Sequence, residues 1–299
     1  MKTAKKSLFH KLKGVVKLTR IDHGLMVAAG ILVGGLSSAE QKLLGYNSFS
    51  ELFTGCIVGI LAEMGIFGFN DYFNVEEDRI NAPDRPLVQG VLSMREALWI
   101  SSIFLILGLA ISFVFLSVKA SIILLAIVIL DMGYNIFLKK LGIVGNFAVA
   151  ISTAMPFIFG SVITVGLNNV PLFTWLFFLT ALIATLAREI VKGIIDVPGD
   201  LRAGVRTMAI VAGEKLAARI AFYLIIAAIL LSLVTCLVIP NKLLYLPPTI
   251  LCDYMLFKSA QKLVKSPNAR TAELGRKSML RAMGIGMLGF FLGSYRNFF

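Results

Sequence analysis

Two short stretches of this chain carry an unusual density of acid. Residues 70–90 read NDYFNVEEDRINAPDRPLVQG and residues 188–206 read REIVKGIIDVPGDLRAGVR. Together they hold eight of the 17 acidic residues: Asp71, Glu76, Glu77, Asp78, Asp84, Glu189, Asp196 and Asp200. Asp71, Asn74 and Asp78 stand at i, i+3 and i+7, which is one face of a continuing helix, with Asn70 beside them. Oxygen-bearing side chains that converge at a helix end suit a hard divalent cation such as Mg²⁺. Carboxylates alone repel a phosphate, but with Mg²⁺ they attract one, because the metal's charge reverses the local field. In the second stretch Asp196 and Asp200 are four apart with Pro198 and Gly199 between them, so the sequence leaves open whether a helix or a loop brings them together. Arg188, Lys192 and Asp196 form a strip at i, i+4 and i+8. Arg79, Arg85, Arg202 and Arg206 interleave with the acids, and an arginine fork binds phosphate oxygens bidentately. Metal ligands mixed with basic side chains are the arrangement expected around a diphosphate. The first stretch alone could be a solvated acidic turn; the pair of stretches is the stronger signal.

The elements that must position these residues are membrane helices. Of the 299 residues, 58% are hydrophobic and 15% charged, with mean hydropathy +0.85. A typical soluble domain is roughly 25% charged. The composition therefore predicts an all-α, polytopic membrane protein forming one domain over 1–299, and it excludes a disordered or soluble chain. A span needs about 20 mostly apolar residues. Nine candidates run near 21–39, 50–70, 96–117, 119–138, 142–166, 171–190, 209–238, 242–261 and 279–296. None alternates with period two, which excludes a membrane β-barrel.

With the N-terminus in the cytoplasm, 25 of the 29 basic residues fall on the cytoplasmic side. The other side keeps Lys42, Lys119, Lys242 and Arg296. This asymmetry predicts a cell-membrane protein with a cytoplasmic N-terminus and an extracytoplasmic C-terminus. It assigns the basic excess to topology and membrane lipids, with no nucleic-acid partner. Both acidic stretches follow even-numbered spans, so the site is expected at the cytoplasmic face. A transporter, the other class that many spans suggest, would gather its polar residues near mid-membrane. Residues 1–20 carry seven positives, and Leu8, Leu12, Val15 and Val16 fall roughly on one face; they read as an interfacial helix or as a basic arm. Cys56, Cys236 and Cys252 make no CxxC pair, and His10 and His23 are too few for a histidine-rich metal site. Glu63, Asp131 and Asp253 lie inside spans, where charge marks a partner or a pathway. Asp131 is one turn before Tyr134 and Asn135 and is expected either to support the residues that contact the substrate or to serve the substrate itself; Glu63 and Asp253 fit bundle contacts equally well.

These motifs resemble those of the intramembrane prenyltransferase superfamily that includes the 4-hydroxybenzoate prenyltransferases, and the likeness covers nearly the whole chain. The family's NDxxDxxxD is matched by Asn70, Asp71, Asn74 and Asp78, with Asn74 replacing the middle aspartate. DRxNxPxRPL is matched by Asp78, Arg79, Asn81, Pro83, Arg85, Pro86 and Leu87, and DxxxD by Asp196 and Asp200. The YxxxK motif has Tyr134, with Lys139 one position late, so Lys139 and Lys140 both remain open. REIVKGIIDVPGD is most similar to the archaeal branch that forms digeranylgeranylglyceryl phosphate.

The resemblance implies nine helices and a Mg²⁺-dependent transfer. The donor would be geranylgeranyl diphosphate, a prenyl diphosphate, and the acceptor geranylgeranylglyceryl phosphate, a prenylated glycerol phosphate. Asp71, Asp78, Asp196 and Asp200 would be catalytic and, with Asn74, hold two Mg²⁺ ions. Asn70, Arg79, Asn81, Arg85, Tyr134, Lys139, Arg188, Lys192, Arg202 and Arg206 would bind substrate. An aromatic prenyltransferase of quinone or haem biosynthesis shares the diphosphate site, so only the acceptor pocket separates the two readings.

Overall fold

A computed structural model describes residues 2–39, 46–202 and 204–295. Among them every regular element is helical: α1 (Lys2–Thr19), α2 (Ile21–Ser38), α3 (Tyr46–Phe73), α4 (Val75–Asn81), α5 (Met94–Phe115), α6 (Val118–Ile136), α7 (Ile143–Val165), α8 (Leu172–Ile195), α9 (Val197–Arg202), α10 (Met208–Ala212), α11 (Glu214–Val238), α12 (Lys242–Lys265) and α13 (Ala269–Ser294). Apolar runs of this length can enter lipid only if each backbone amide is satisfied within its own segment. The polar punctuation between them sets the ends. Ser93 and Glu96 form a reciprocal capping box at the start of α5, and Ser117, Asn241 and Asn268 cap α6, α12 and α13 through their side chains.

Seven helical segments among the described residues are long and apolar enough to cross a membrane: His10–Ser38, Phe49–Phe73, Met94–Phe115, Val118–Ile136, Ile143–Val165, Leu172–Ile195 and Glu214–Val238. This corrects the expectation of nine. Residues 242–261 and 279–294 do form parts of long helices, α12 and α13. Both are diluted by polar residues: α12 carries Lys242, Asp253, Lys258, Lys262, Lys265 and the Pro247–Pro248 pair, and the first half of α13 carries Arg270, Glu273, Arg276, Lys277 and Arg281. The long segment expected at 209–238 resolves into α10 and α11, separated by Gly213. Lys42 and Arg296 lie outside the described residues.

The helices close into a bundle. α2 packs on α3 and α7, α3 on α5, α7 on α8, α8 on α11, and α12 on α11 and α13; α13 then returns to α8 and α2. One core joins α2, α3, α5, α6, α7 and α8 through residues such as Ile31, Val58 and Ile158, and a second joins α8 to α11, α12 and α13 through Ile190, Ile225 and Met279. The Asn241 N–H donates to the Gly293 carbonyl at 2.7 Å, so the end of α13 comes back to the level of the α11–α12 corner. α4 and α9 occupy the opposite end, where they touch each other. α1 is neither a loose arm nor free of the bundle: Leu18 is buried with Leu87, Leu92 and Ala97, and Lys17 bonds the backbone and carboxylate of Asp84. That packing holds the 82–93 loop, and Arg85 with it, against the site.

α2 and α7 cross almost backbone to backbone. A Cβ on Gly34 would lie 2.0 Å from the Phe157 carbonyl oxygen, and one on Gly160 would lie 1.9 Å from that of Ile31. In lipid, such small-residue contact replaces the hydrophobic effect as the reason for helices to associate. Gly160→Ala should therefore push α2 from α7 and cost about 1–3 kcal/mol, seen as a Tm several degrees lower in detergent. An unchanged Tm would show that the crossing can relax.

Candidate active site

The site grows from the last turn of α3. Asn70 and Asp71 close that helix, and Asn74 (φ −111°, ψ 18°) makes a hitch before α4. The expected single helix through Asp78 is thus broken once. The Asn74 amide still reaches the Asn70 carbonyl at 3.1 Å and the Asp78 amide that of Asn74 at 2.9 Å, so the helical spacing survives. Asp71 is fully buried. Its Oδ1 accepts from Arg20 Nη2 at 2.5 Å and from Arg85 Nη1. Arg20 also stacks over Phe67, 4.2 Å from the ring centroid. Asn70 donates to Asn135 Oδ1 at 2.7 Å, a crossbar from α3 to α6.

The second cluster follows α8. Asp196 ends that helix, and the Asp200 amide bonds the Asp196 carbonyl at 2.9 Å. Pro198 lies in the first turn of α9, where its missing N–H leaves no partner unsatisfied. The two aspartates are therefore one helical turn apart, which settles the question that Pro198 and Gly199 raised. Glu189 is buried between Arg188, at 2.8 Å, and Lys192, at 3.8 Å. Lys139, in the short 3-10 turn Leu138–Leu141, bonds Glu77 and, at 2.9 Å, Asn74 Oδ1. Lys140 is exposed, so Lys139 is the lysine that faces the site. Tyr134 lies within electrostatic reach of Lys192, Glu189, Asp200 and Glu77.

Most of the sequence-predicted residues thus meet at one end of the bundle: Asn70, Asp71, Asn74, Asp78, Arg85, Tyr134, Lys139, Arg188, Lys192, Asp196 and Asp200. Three do not join them. Arg79 is exposed and pairs with Glu76 at 3.4 Å, and Arg202 and Arg206 are exposed with no ion pair among the described residues. Asn81 closes α4, and its side chain lies outside the described residues. The sequence reading missed Arg20, Glu77, Asn135 and Glu189 as site residues. Glu77 and Glu189 were visible as part of the acid density. Arg20 had no local signal, since its partner is 51 residues away.

The electrostatics fit a missing cation. Among the described residues no three Asp, Glu, His or Cys side chains already converge as a ligand set; the acids sit on two short helices that touch. Asp71 Oδ2 and Asp78 Oδ2 are nevertheless buried without a hydrogen-bond partner, and such atoms call for one. They are hard carboxylate oxygens of the kind Mg²⁺ takes. Burial pushes the Asp78 carboxyl up to about 6, with Lys139 and Arg20 pulling it back. Burial and then the neighbouring Asp196 push Asp200 up to about 6, and burial raises Asp196 as well.

The chain is similar over nearly its whole length to known proteins. A model of the UbiA prenyltransferase family matches residues 27–283. A digeranylgeranylglyceryl phosphate synthase of Archaeoglobus fulgidus is 34% identical over 97% of this chain and 98% of its own. That of Pyrococcus abyssi is 33% identical over 95% of this chain and 98% of its own. A solved structure described as giving structural and mechanistic insights into digeranylgeranylglyceryl phosphate synthase in membranes has TM-score 0.76 at 30% identity, over 95% of this chain and 98% of that one. A UbiA homolog from Archaeoglobus fulgidus bound to DMAPP and Mg²⁺ shares the fold, with TM-score 0.67 at 17% identity over 90% and 99%.

Asp78 and Asp200 have folded pKa values near 6, above about 3.9 for an unfolded aspartate. Their contribution to metal-free stability is fully present below that lower value and is lost as pH rises through about 6. Metal binding runs the other way, because it needs the ionised carboxylates. Added Mg²⁺ should therefore raise Tm at about pH 7 and lose that effect by about pH 5. A Tm shift that ignores pH would remove these two residues from the metal site.

Proposed function

We propose, from the premise that this chain belongs to the UbiA prenyltransferase family, that it transfers a geranylgeranyl group from geranylgeranyl diphosphate to geranylgeranylglyceryl phosphate, making the second ether of archaeal membrane lipids. The observation that carries the acceptor is the run of digeranylgeranylglyceryl phosphate synthases at 28–34% identity that cover nearly the whole of both chains. The paired acidic helices and their basic surround support the diphosphate donor.

In this reading Asp71, Asp78, Asp196 and Asp200, with Asn74, hold two Mg²⁺ ions. When bound, the metal neutralises the diphosphate as charge builds on the leaving group. The chain's own cations share that task. Arg20 and Arg85 lie at Asp71, and Lys139 and Lys192 lie beside the second cluster. Arg188 keeps a buried Nε without a partner. Asn74 Oδ1 accepts from Lys139 and Asn74 Nδ2 donates to the Asn70 carbonyl at 2.7 Å, so Asn74→Asp keeps the first contact, loses the second and should retain much of the activity, whereas Asp71→Ala or Asp196→Ala should nearly abolish turnover. The apolar bundle takes both prenyl chains, and the charged head groups stay at the mouth. Arg202 ends α9 and Arg206 follows it; both are exposed outside the cluster and suit the phosphate of an acceptor that enters from solvent. Neutralising the one that binds it should raise the acceptor KM about tenfold or more and leave the donor KM unchanged; an unchanged acceptor KM in both variants rejects this role.

Counted with α12 and α13 crossing beside the seven apolar helices, 25 of 29 basic residues fall on the site's side, which supports a cytoplasmic N-terminus and site and an extracytoplasmic C-terminus. A cytoplasm-only reporter fused after residue 299 should be silent.

The deciding assay supplies purified protein with Mg²⁺ and geranylgeranyl diphosphate. Geranylgeranylglyceryl phosphate and 4-hydroxybenzoate are offered separately, and products are identified by mass. The diether phosphate is expected. Prenylation of the aromatic acid alone would overturn the acceptor and leave the metal site standing.

A further inference from the structure

A cavity of about 50 Å³ lies between α2, α3, α6 and α7, with apolar walls that include Ile31, Val128 and Phe159. Glu63, Asp131 and Ser152 also line it. Asp131 is one helical turn before Asn135 and Glu63 is two turns before Asn70, the two ends of the crossbar. At 1.5 Å per residue these are about 6 and 10 Å along the helices from the metal-facing end. Asp131 is 8% exposed, and its Oδ2 accepts from Ser152 Oγ at 2.8 Å. Glu63 makes no ion pair, and neither carboxyl has another hydrogen bond among the described residues. A pocket for hydrocarbon has no use for a carboxyl, and carboxyls at membrane depth are costly enough to mark function.

The transfer proposed above must also dispose of a proton, and few groups are free to take it. Asp71 is held by two arginines, Glu77 by Lys139, and Glu189 by Arg188 and Lys192. Asp78, Asp196 and Asp200 are assigned to metal. His10 is exposed on α1. His23 packs edge-on to Phe67 and does not line the cavity. Of the two carboxyls that line the cavity, Asp131 is nearer the reacting end and is the one oriented by a neighbour.

We infer that Asp131 is the catalytic base for the acceptor hydroxyl, an inference that rests on the proposed ether-forming reaction. The hydroxyl oxygen bonds to C1 of the allylic group. The C1–O bond to diphosphate breaks, and its electron pair leaves on the diphosphate. The hydroxyl proton passes to the Asp131 carboxylate, which Ser152 aims into the cavity.

Asp131→Asn keeps the shape and the Ser152 contact but cannot accept the proton. Ether formation should fall about 100-fold or more, while Mg²⁺-dependent binding of a non-reactive thiodiphosphate analogue of the donor stays at the wild-type level. Wild-type ether formation in this variant, or loss of analogue binding together with activity, overturns the role. If Asp131→Asn does not fold, Ser152→Ala replaces it. That variant should lower ether formation about tenfold with analogue binding intact, and full activity there overturns the role. A wild-type protein that makes no ether would instead overturn the acceptor assignment.

Discussion

A fully buried carboxylate shared by two guanidiniums is the joint on which this architecture turns. Asp71 comes from the end of α3, Arg20 from the junction of α1 and α2, and Arg85 from the loop after α4. Three segments distant in sequence are thereby fixed at one point. Removing either arginine would leave a buried charge less than fully compensated, which is far more costly than losing an exposed pair. By contrast, the Lys11–Glu96 and Lys17–Asp84 pairs around α1 are largely exposed; they set direction more than they add stability. The burial of Leu18 against Leu87 and Leu92 holds that loop in place.

The same joint separates two solvents. Above it lie the acids and bases of α4, α8 and α9; below the Asn70–Asn135 crossbar the walls become apolar. Two substrates that are each half hydrocarbon and half phosphate need this kind of boundary. The ion pairs also show why the basic residues are so numerous. Lys139, Arg188 and Lys192 each answer Glu77 or Glu189, while Asp71 Oδ2 and Asp78 Oδ2 keep no hydrogen-bond partner among the described residues.

The acidic motifs were legible because their chemistry is local: the spacing of Asp71, Asn74 and Asp78 and of Asp196 and Asp200 survives in the helical backbone. The hitch at Asn74 was not legible, since it shifts one residue's dihedrals without changing the hydrogen-bond spacing. Arg20 was counted only as one more positive charge before a span. Its role depends on a tertiary partner, and periodicity carries no information about that. The choice between Lys139 and Lys140 turned on the short 3-10 turn that directs Lys139 toward Glu77. The count of spans failed at α12 and α13, where helices were expected but their polar content sets them apart from the rest, and α13 begins ten residues before the expected span.

Arg20 is the only described non-glycine residue with positive φ, at φ 44° and ψ 57°. A left-handed backbone at such a side chain costs on the order of 1–3 kcal/mol. Glycine would adopt it freely but would leave Asp71 with one guanidinium instead of two. Backbone strain and the buried ion pair therefore pull in opposite directions at this residue, and the ion pair is the larger of the two. A design that relieved backbone strain alone would be drawn to glycine or asparagine at position 20, and would break the buried ion pair that ties three segments together. For engineering purposes position 20 belongs with the protected residues, although it lies outside both acidic motifs.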